Sequence, residues 1–168
     1  ILLAELAQER GNPADAESHV RAARMLAAEL GVGVERARVA VADARIASLS
    51  GDAPRVIRAL DAARPEIATS GESMVAEAAA LRLGAYARLG QLDAAAAAGR
   101  QAVSAIERVR GNYGSGELRV SFASDRAGVY ADLVVVLLRL GRTSEAFEVA
   151  DLAHGRALLD RIASARAE

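Results

Sequence analysis

LRLGRTSEAFEVAD, residues 138–151, sets a glycine between two apolar-periodic segments, then alanines where a core ordinarily takes larger side chains. Gly141 stops the first segment, and Thr143 and Ser144 can open a second helix. Ala146, Ala150 and Ala153 then recur at helical spacing. Small residues on one face let a neighbouring helix approach closely. The stretch reads as the turn and second arm of a tight helical hairpin.

The same punctuation occurs upstream at Gly11 (ERGNPADA), Gly51 (LSGDAPRV) and Gly90 (LGQLDAAA). The four glycines stand 40, 39 and 51 residues apart, an internal repeat in the range of helical solenoids. Each precedes a helix start: Asn12-Pro13, Asp52-Ala53-Pro54, Asp93 and Thr143-Ser144. Proline costs little in a first helical turn, and glycine suits the left-handed position that ends the preceding helix. About eight helices are expected, over 1–10, 13–30, 34–50, 53–63, 70–89, 91–109, 117–140 and 142–166. They pair into four hairpins spanning 1–30, 34–63, 70–110 and 117–166. The run LVVVLL (133–138) has the composition of a buried strand. It lies inside a long segment without a breaker and would have no partner strand, so it reads as helix.

Composition agrees. Of 168 residues 41 are alanine and only 3% are aromatic, a bias toward helix with small side chains. The expectation is a single all-α domain, an α-solenoid of antiparallel helical hairpins over 1–168. All 21 basic residues are arginine, a usage expected of GC-rich codons. The net charge of −1 points to neither nucleic acid nor an anionic membrane as partner. The absence of cysteine excludes disulfides and thiol chemistry from this chain. No apolar run reaches the ~18 residues of a membrane span. The start Ile1-Leu2-Leu3 lacks a methionine and a cleavable leader, so a cytoplasmic fragment of a larger protein is expected.

The last unit resembles a tetratricopeptide repeat. Tyr130 stands at that family's first aromatic position, Leu133-Val134 at its Leu-Gly pair, and Leu137 at the next aromatic. Gly141 is the turn glycine, and Ala146, Ala150 and Ala153 cover the later small and aromatic positions. Leu83, Tyr86, Ala95 and Ala102 repeat the match around Gly90; Ala44, Val56 and Ala63 repeat it around Gly51. Around Gly11 only the turn, Ala16 and Ala23 remain. These units exceed the family's length of about 34 residues, and Leu83 and Val134 replace its glycine before the turn. The resemblance implies a right-handed α-solenoid; a generic antiparallel bundle is the competing architecture. Residues 117–163, with Val129-Tyr130, Glu145-Ala146-Phe147 and Arg156-Ala157-Leu158-Leu159-Asp160, also resemble the repeat that precedes a caspase-like CHAT domain in bacterial multidomain proteins. That resemblance puts any catalytic machinery downstream of this chain.

No catalytic constellation stands out. His19 and His154 lie far apart without an acidic cluster at ligand spacing, so no metal or cofactor is expected. Asp151, His154 and Ser144 do not assemble a triad on helical spacing. GNYGSGE (111–117) lacks the Gly-Lys-Ser/Thr ending of a phosphate loop and follows a helix rather than a strand, so it reads as a connector.

The face opposite each first helix's core stripe carries Arg38 and Arg45, then Glu77 and Arg88, then Asp132, Val135 and Arg139. In the resembled family this face lines a concave groove for peptides or partner helices. Its arginines would suit an acidic protein or peptide; a solvated charged face is the alternative. The asparagines of the family's carboxylate-clamp variant have no counterparts here. The expected function is a non-catalytic protein-interaction scaffold. The alternatives are a ligand-sensing arm of a larger enzyme and the sensor of a bacterial transcription regulator. Leu2, Leu3 and Leu6 at one end, and Leu158, Leu159 and Ile162 at the other, lead to expected self-association through terminal helices. Val135, Val136 and Leu138, outside the i, i+3, i+4, i+7 core stripe of Tyr130, Leu133, Val134 and Leu137, extend that expectation to the helix before Gly141.

Overall fold

The computed structural model describes residues 1–112 and 127–165, and every regular element among them is helical. The elements are α1 (Leu2–Glu9), α2 (Pro13–Leu30), α3 (Gly33–Leu49), α4 (Ala53–Ala62), α5 (Arg64–Thr69), α6 (Glu72–Arg88), α7 (Leu92–Asn112), α8 (Ala127–Arg139) and α9 (Thr143–Ala165). LVVVLL lies in α8, so the helical reading of that run is correct. The GNYGSGE connector from Tyr113 onward and the expected helix start at 117 lie outside the described residues. So do the side chains of Leu158, Leu159 and Ile162.

The turn glycines are built alike. Gly11, Gly51, Gly90 and Gly141 all have φ between 70° and 77°, which residues with a Cβ rarely adopt. At three of them the glycine N–H donates three residues back, to Ser48, Ala87 and Leu138. The next N–H donates five residues back: Asp52 to Ala47, Gln91 to Tyr86 and Arg142 to Leu137, each at 2.9 Å. This pair of bonds satisfies carbonyls that the ending helix would otherwise strand. Asn12 and Asp52 cap the helices that follow, accepting from the Asp15 and Arg55 N–H groups.

One element departs from the expected eight. The segment after Ala63 forms a further helix, α5, instead of a connector. Pro65 has no N–H to continue α4, and Ala63 turns its own N–H to Asp61. The Ile67 N–H donates to Ala63 at 2.9 Å and restarts the helix, which buries Ile67 in the core.

Packing follows chain order. The hairpins α1/α2, α3/α4, α6/α7 and α8/α9 are in extensive contact internally. Each second helix also touches the first helix of the next hairpin (α2 with α3, α4 with α6, α7 with α8). The first helices touch in series: α1 with α3, α3 with α6, α6 with α8. A first helix is thus buried on more than one side, and in α6 small side chains let neighbours approach on both. In α6, Ala78 and Ala85 pack with α3 and α4, while Ala76 and Leu83 join the cluster of α7 and α8. Leu60, Leu83, Ile106, Leu133 and Leu137 are the largest apolar side chains fully buried. Each contributes about 1.5–3 kcal/mol by leaving water.

The alanines of α9 differ from one another. Ala146 is buried and Ala153 packs against the same cluster, but Ala150 is exposed. Only Ala146 and Ala153 therefore serve the close approach. Val136 is buried beside Leu133 and Leu137, which corrects its expected place outside the stripe; Val135 and Leu138 are exposed. Leu2 and Leu3 are exposed at the other end, as are Met25, Leu26 and Leu30 of α2.

Candidate interaction grooves

The three first helices α3, α6 and α8 share a groove of about 630 Å³. Arg45, Glu77, Arg88 and Asp132 line it together with Ser48, Leu81, Gly84 and Val129. Four of the seven residues picked out by periodicity are thus brought to one place. The other three are not part of this lining. Arg38 bonds Glu35 of its own helix at 3.1 Å, while Val135 and Arg139 lie exposed on α8.

The groove's charges are largely set against one another. Arg45 forms an ion pair with Glu77 that joins α3 to α6, with Nε at 3.1 Å from Oε1. Arg88 donates from Nη1 to the Ser48 carbonyl at 2.9 Å, a second bond between the same two helices. That contact leaves most of its guanidinium donors toward the groove. Asp132 is exposed and has no ion pair among the described residues. Two arginines face two carboxylates, so a ligand meets one available cation and one available anion rather than a positive row.

A second concavity, of about 570 Å³, lies between α2, α3 and α4. Its centre is Asp43, 2% exposed and fixed by two arginines from different helices. Arg24 Nη2 reaches Oδ2 at 2.6 Å; Arg55 Nη2 and Nε reach Oδ1 at 2.8 and 3.2 Å. Arg55 also donates to Glu17 at 2.7 Å. Burial works against the charge of Arg55, but its bonds to Glu17 and Asp43 outweigh that and raise its pKa above the ordinary value.

Sequence reasoning missed this site, though two signals mark it. Asp43 interrupts the apolar run VAVADARIA (39–47), where a carboxylate must find a partner once buried. Arg21/Arg24 and Arg55/Arg58 repeat the same three-residue spacing on the second helices of successive hairpins, so each pair shares a helix face. Of the two histidines, His19 is half-buried and His154 exposed; the described residues hold no cluster of three or more metal-ligating side chains. No helix among them is long and apolar enough to cross a membrane. Comparison with protein-family models, with characterised proteins and with solved structures gives no match to this chain.

Proposed function

We propose that this chain is a non-catalytic protein-interaction module, a tetratricopeptide-like solenoid whose groove on α3, α6 and α8 receives an extended peptide. One observation carries the reading: first helices of three successive hairpins line a single groove, and four residues chosen by periodicity meet in it. Opposite charges on a rigid wall give register to a bound segment more than they give raw affinity. Arg88 would take a carboxylate, Asp132 a basic group, and the apolar stretch of Leu81 and Val129 the side chain between them.

Display selection on the purified chain tests this. Recovered peptides should carry an acidic and a basic residue at a fixed spacing. Their binding should weaken about tenfold on Arg88→Ala, the loss of a charge-assisted hydrogen bond. Peptides that bind Arg88→Ala and Asp132→Ala as tightly as the parent chain would remove the groove as the site. The alternative of a ligand-sensing arm draws on a different observation, the arginine-lined cavity on the other side of α3.

A further inference from the structure

We propose that the cavity between α2, α3 and α4 binds a small organic dianion, a dicarboxylate or a phosphate monoester with an adjoining apolar part. Arg21, Arg24, Arg36, Arg55 and Arg58 line it against two carboxylates, Glu17 and Asp43. Glu66, from α5, adds a third carboxylate by pairing with Arg36 at 3.0 Å. Five guanidinium groups against three carboxylates leave an excess of two positive charges. Arg21 and Arg58 have no hydrogen bond or ion pair among the described residues. Asp43 accounts for Arg24 and Arg55 as structural cross-links, but no described residue pairs with Arg21 or Arg58. Arg21 and Arg58 are both exposed on the rim of the cavity, and a bound dianion would pair with the two together.

The remaining lining sets the other half of the ligand. Val20, Ala27, Val39, Ala40 and Ala59 form an apolar floor below the arginines. The volume falls in the range of about 300–1,000 Å³ typical of small-molecule sites. Guanidinium forks match carboxylate and phosphate oxygens two at a time, so both anion types fit. Asp43 and Glu17 hold Arg55 in place, so the wall is preorganised before a ligand arrives.

This site is separate from the peptide groove and does not rest on it. At about 100° per residue, positions 36, 39, 40 and 43 of α3 cluster on one side of the helix, with 45 and 48 on the other. The two cavities share no lining residue. A ligand in one leaves the other open.

Calorimetric titration of the whole chain at low ionic strength tests the assignment, with phenyl phosphate and phthalate as the two dianions. Benzyl alcohol and inorganic phosphate serve as the uncharged and the purely ionic probes. At least one dianion should bind saturably at one site, about tenfold or more tighter than either control. The stronger of the two identifies phosphate or carboxylate as the preferred head group. The double variant Arg21→Gln/Arg58→Gln should weaken that binding about tenfold or more, with circular dichroism and Tm unchanged. Arg88→Gln, in the other groove, should leave it unaltered. No saturable binding of either dianion at about 10 mM, or equal binding by the double variant, overturns the proposal. Inorganic phosphate binding as tightly as phenyl phosphate overturns the apolar half of it.

Discussion

At Gly99 the backbone of α7 meets the side chain of α8 with no room for a Cβ. An added methyl would stand 2.7 Å from Leu133 Cδ1 and 3.2 Å from its Cβ, and Leu133 is itself fully buried and unable to swing away. Gly84, also within a helix, has nothing within 4 Å of the same position. Alanine gains about 1 kcal/mol over glycine inside a helix at either site. Gly84→Ala should therefore raise the urea midpoint, whereas Gly99→Ala should lower it as overpacking costs about 1–3 kcal/mol. Equal shifts for the two variants would contradict the close approach of α7 and α8. Ala146 and Ala150 make a second pair on α9. Ala146→Leu, at a buried position, should cost about 1–3 kcal/mol, while Ala150→Leu, at an exposed one, should be nearly neutral. A urea midpoint for Ala146→Leu matching that of Ala150→Leu would refute this packing.

Among the elements, α3 lines both cavities, and each side of it presents a different chemistry. Toward α2 and α4 it offers Asp43, which ties both second helices to it through arginine. Toward α6 and α8 it offers Arg45, joined to Glu77. Replacing Asp43 removes hydrogen bonds to two charged groups at once and leaves Arg55 half enclosed. Asp43→Ala should lower stability by about 1.5–3 kcal/mol, read from denaturant midpoints. Arg24→Ala should cost less, because that side chain is 62% exposed and its loss still leaves Asp43 paired with Arg55. Costs in the reverse order would mean that Asp43 is not the hub of the three helices.

Across the molecule, stability should be graded rather than uniform. Hairpins that touch chiefly their neighbours gain most of their stability from those interfaces. The α6/α7 hairpin has partners on both sides, within the cluster of Leu83, Ile106, Leu133 and Leu137. The α1/α2 hairpin rests on a small cluster of Ala4, Ala16, Val20 and Ile46. Amide hydrogen exchange should be slowest in α6 and α7 and fastest in α1 and α2. Equal protection in all helices would point to one cooperative core instead.

Local chemistry alone determined much of this architecture. The four turn glycines, the Asn12 and Asp52 caps and the periodic stripe of Tyr130, Leu133 and Leu137 are written within a few residues of chain. Each depends on backbone sterics or helical spacing, which act at short range. The expected helix 53–63 ends where Arg64-Pro65 breaks α4, but a proline marks only the end of one helix. That the next residues form another follows from the burial of Ile67, a tertiary fact. Periodicity also identified Arg45, Glu77, Arg88 and Asp132 as sharing a side, because direction around a helix is a local property. What those side chains bond to was decided by packing. Arg45 and Glu77 are 32 residues apart, Arg88 and the Ser48 carbonyl 40, Arg24 and Asp43 19. Such pairs form only once the hairpins stack, since the contact is set by helix crossing and not by spacing along the chain. The same holds for the five arginines around Asp43, which three different helices supply to one cavity. The net charge of −1 averages that local positive excess away, so only the stacked helices bring it into one place.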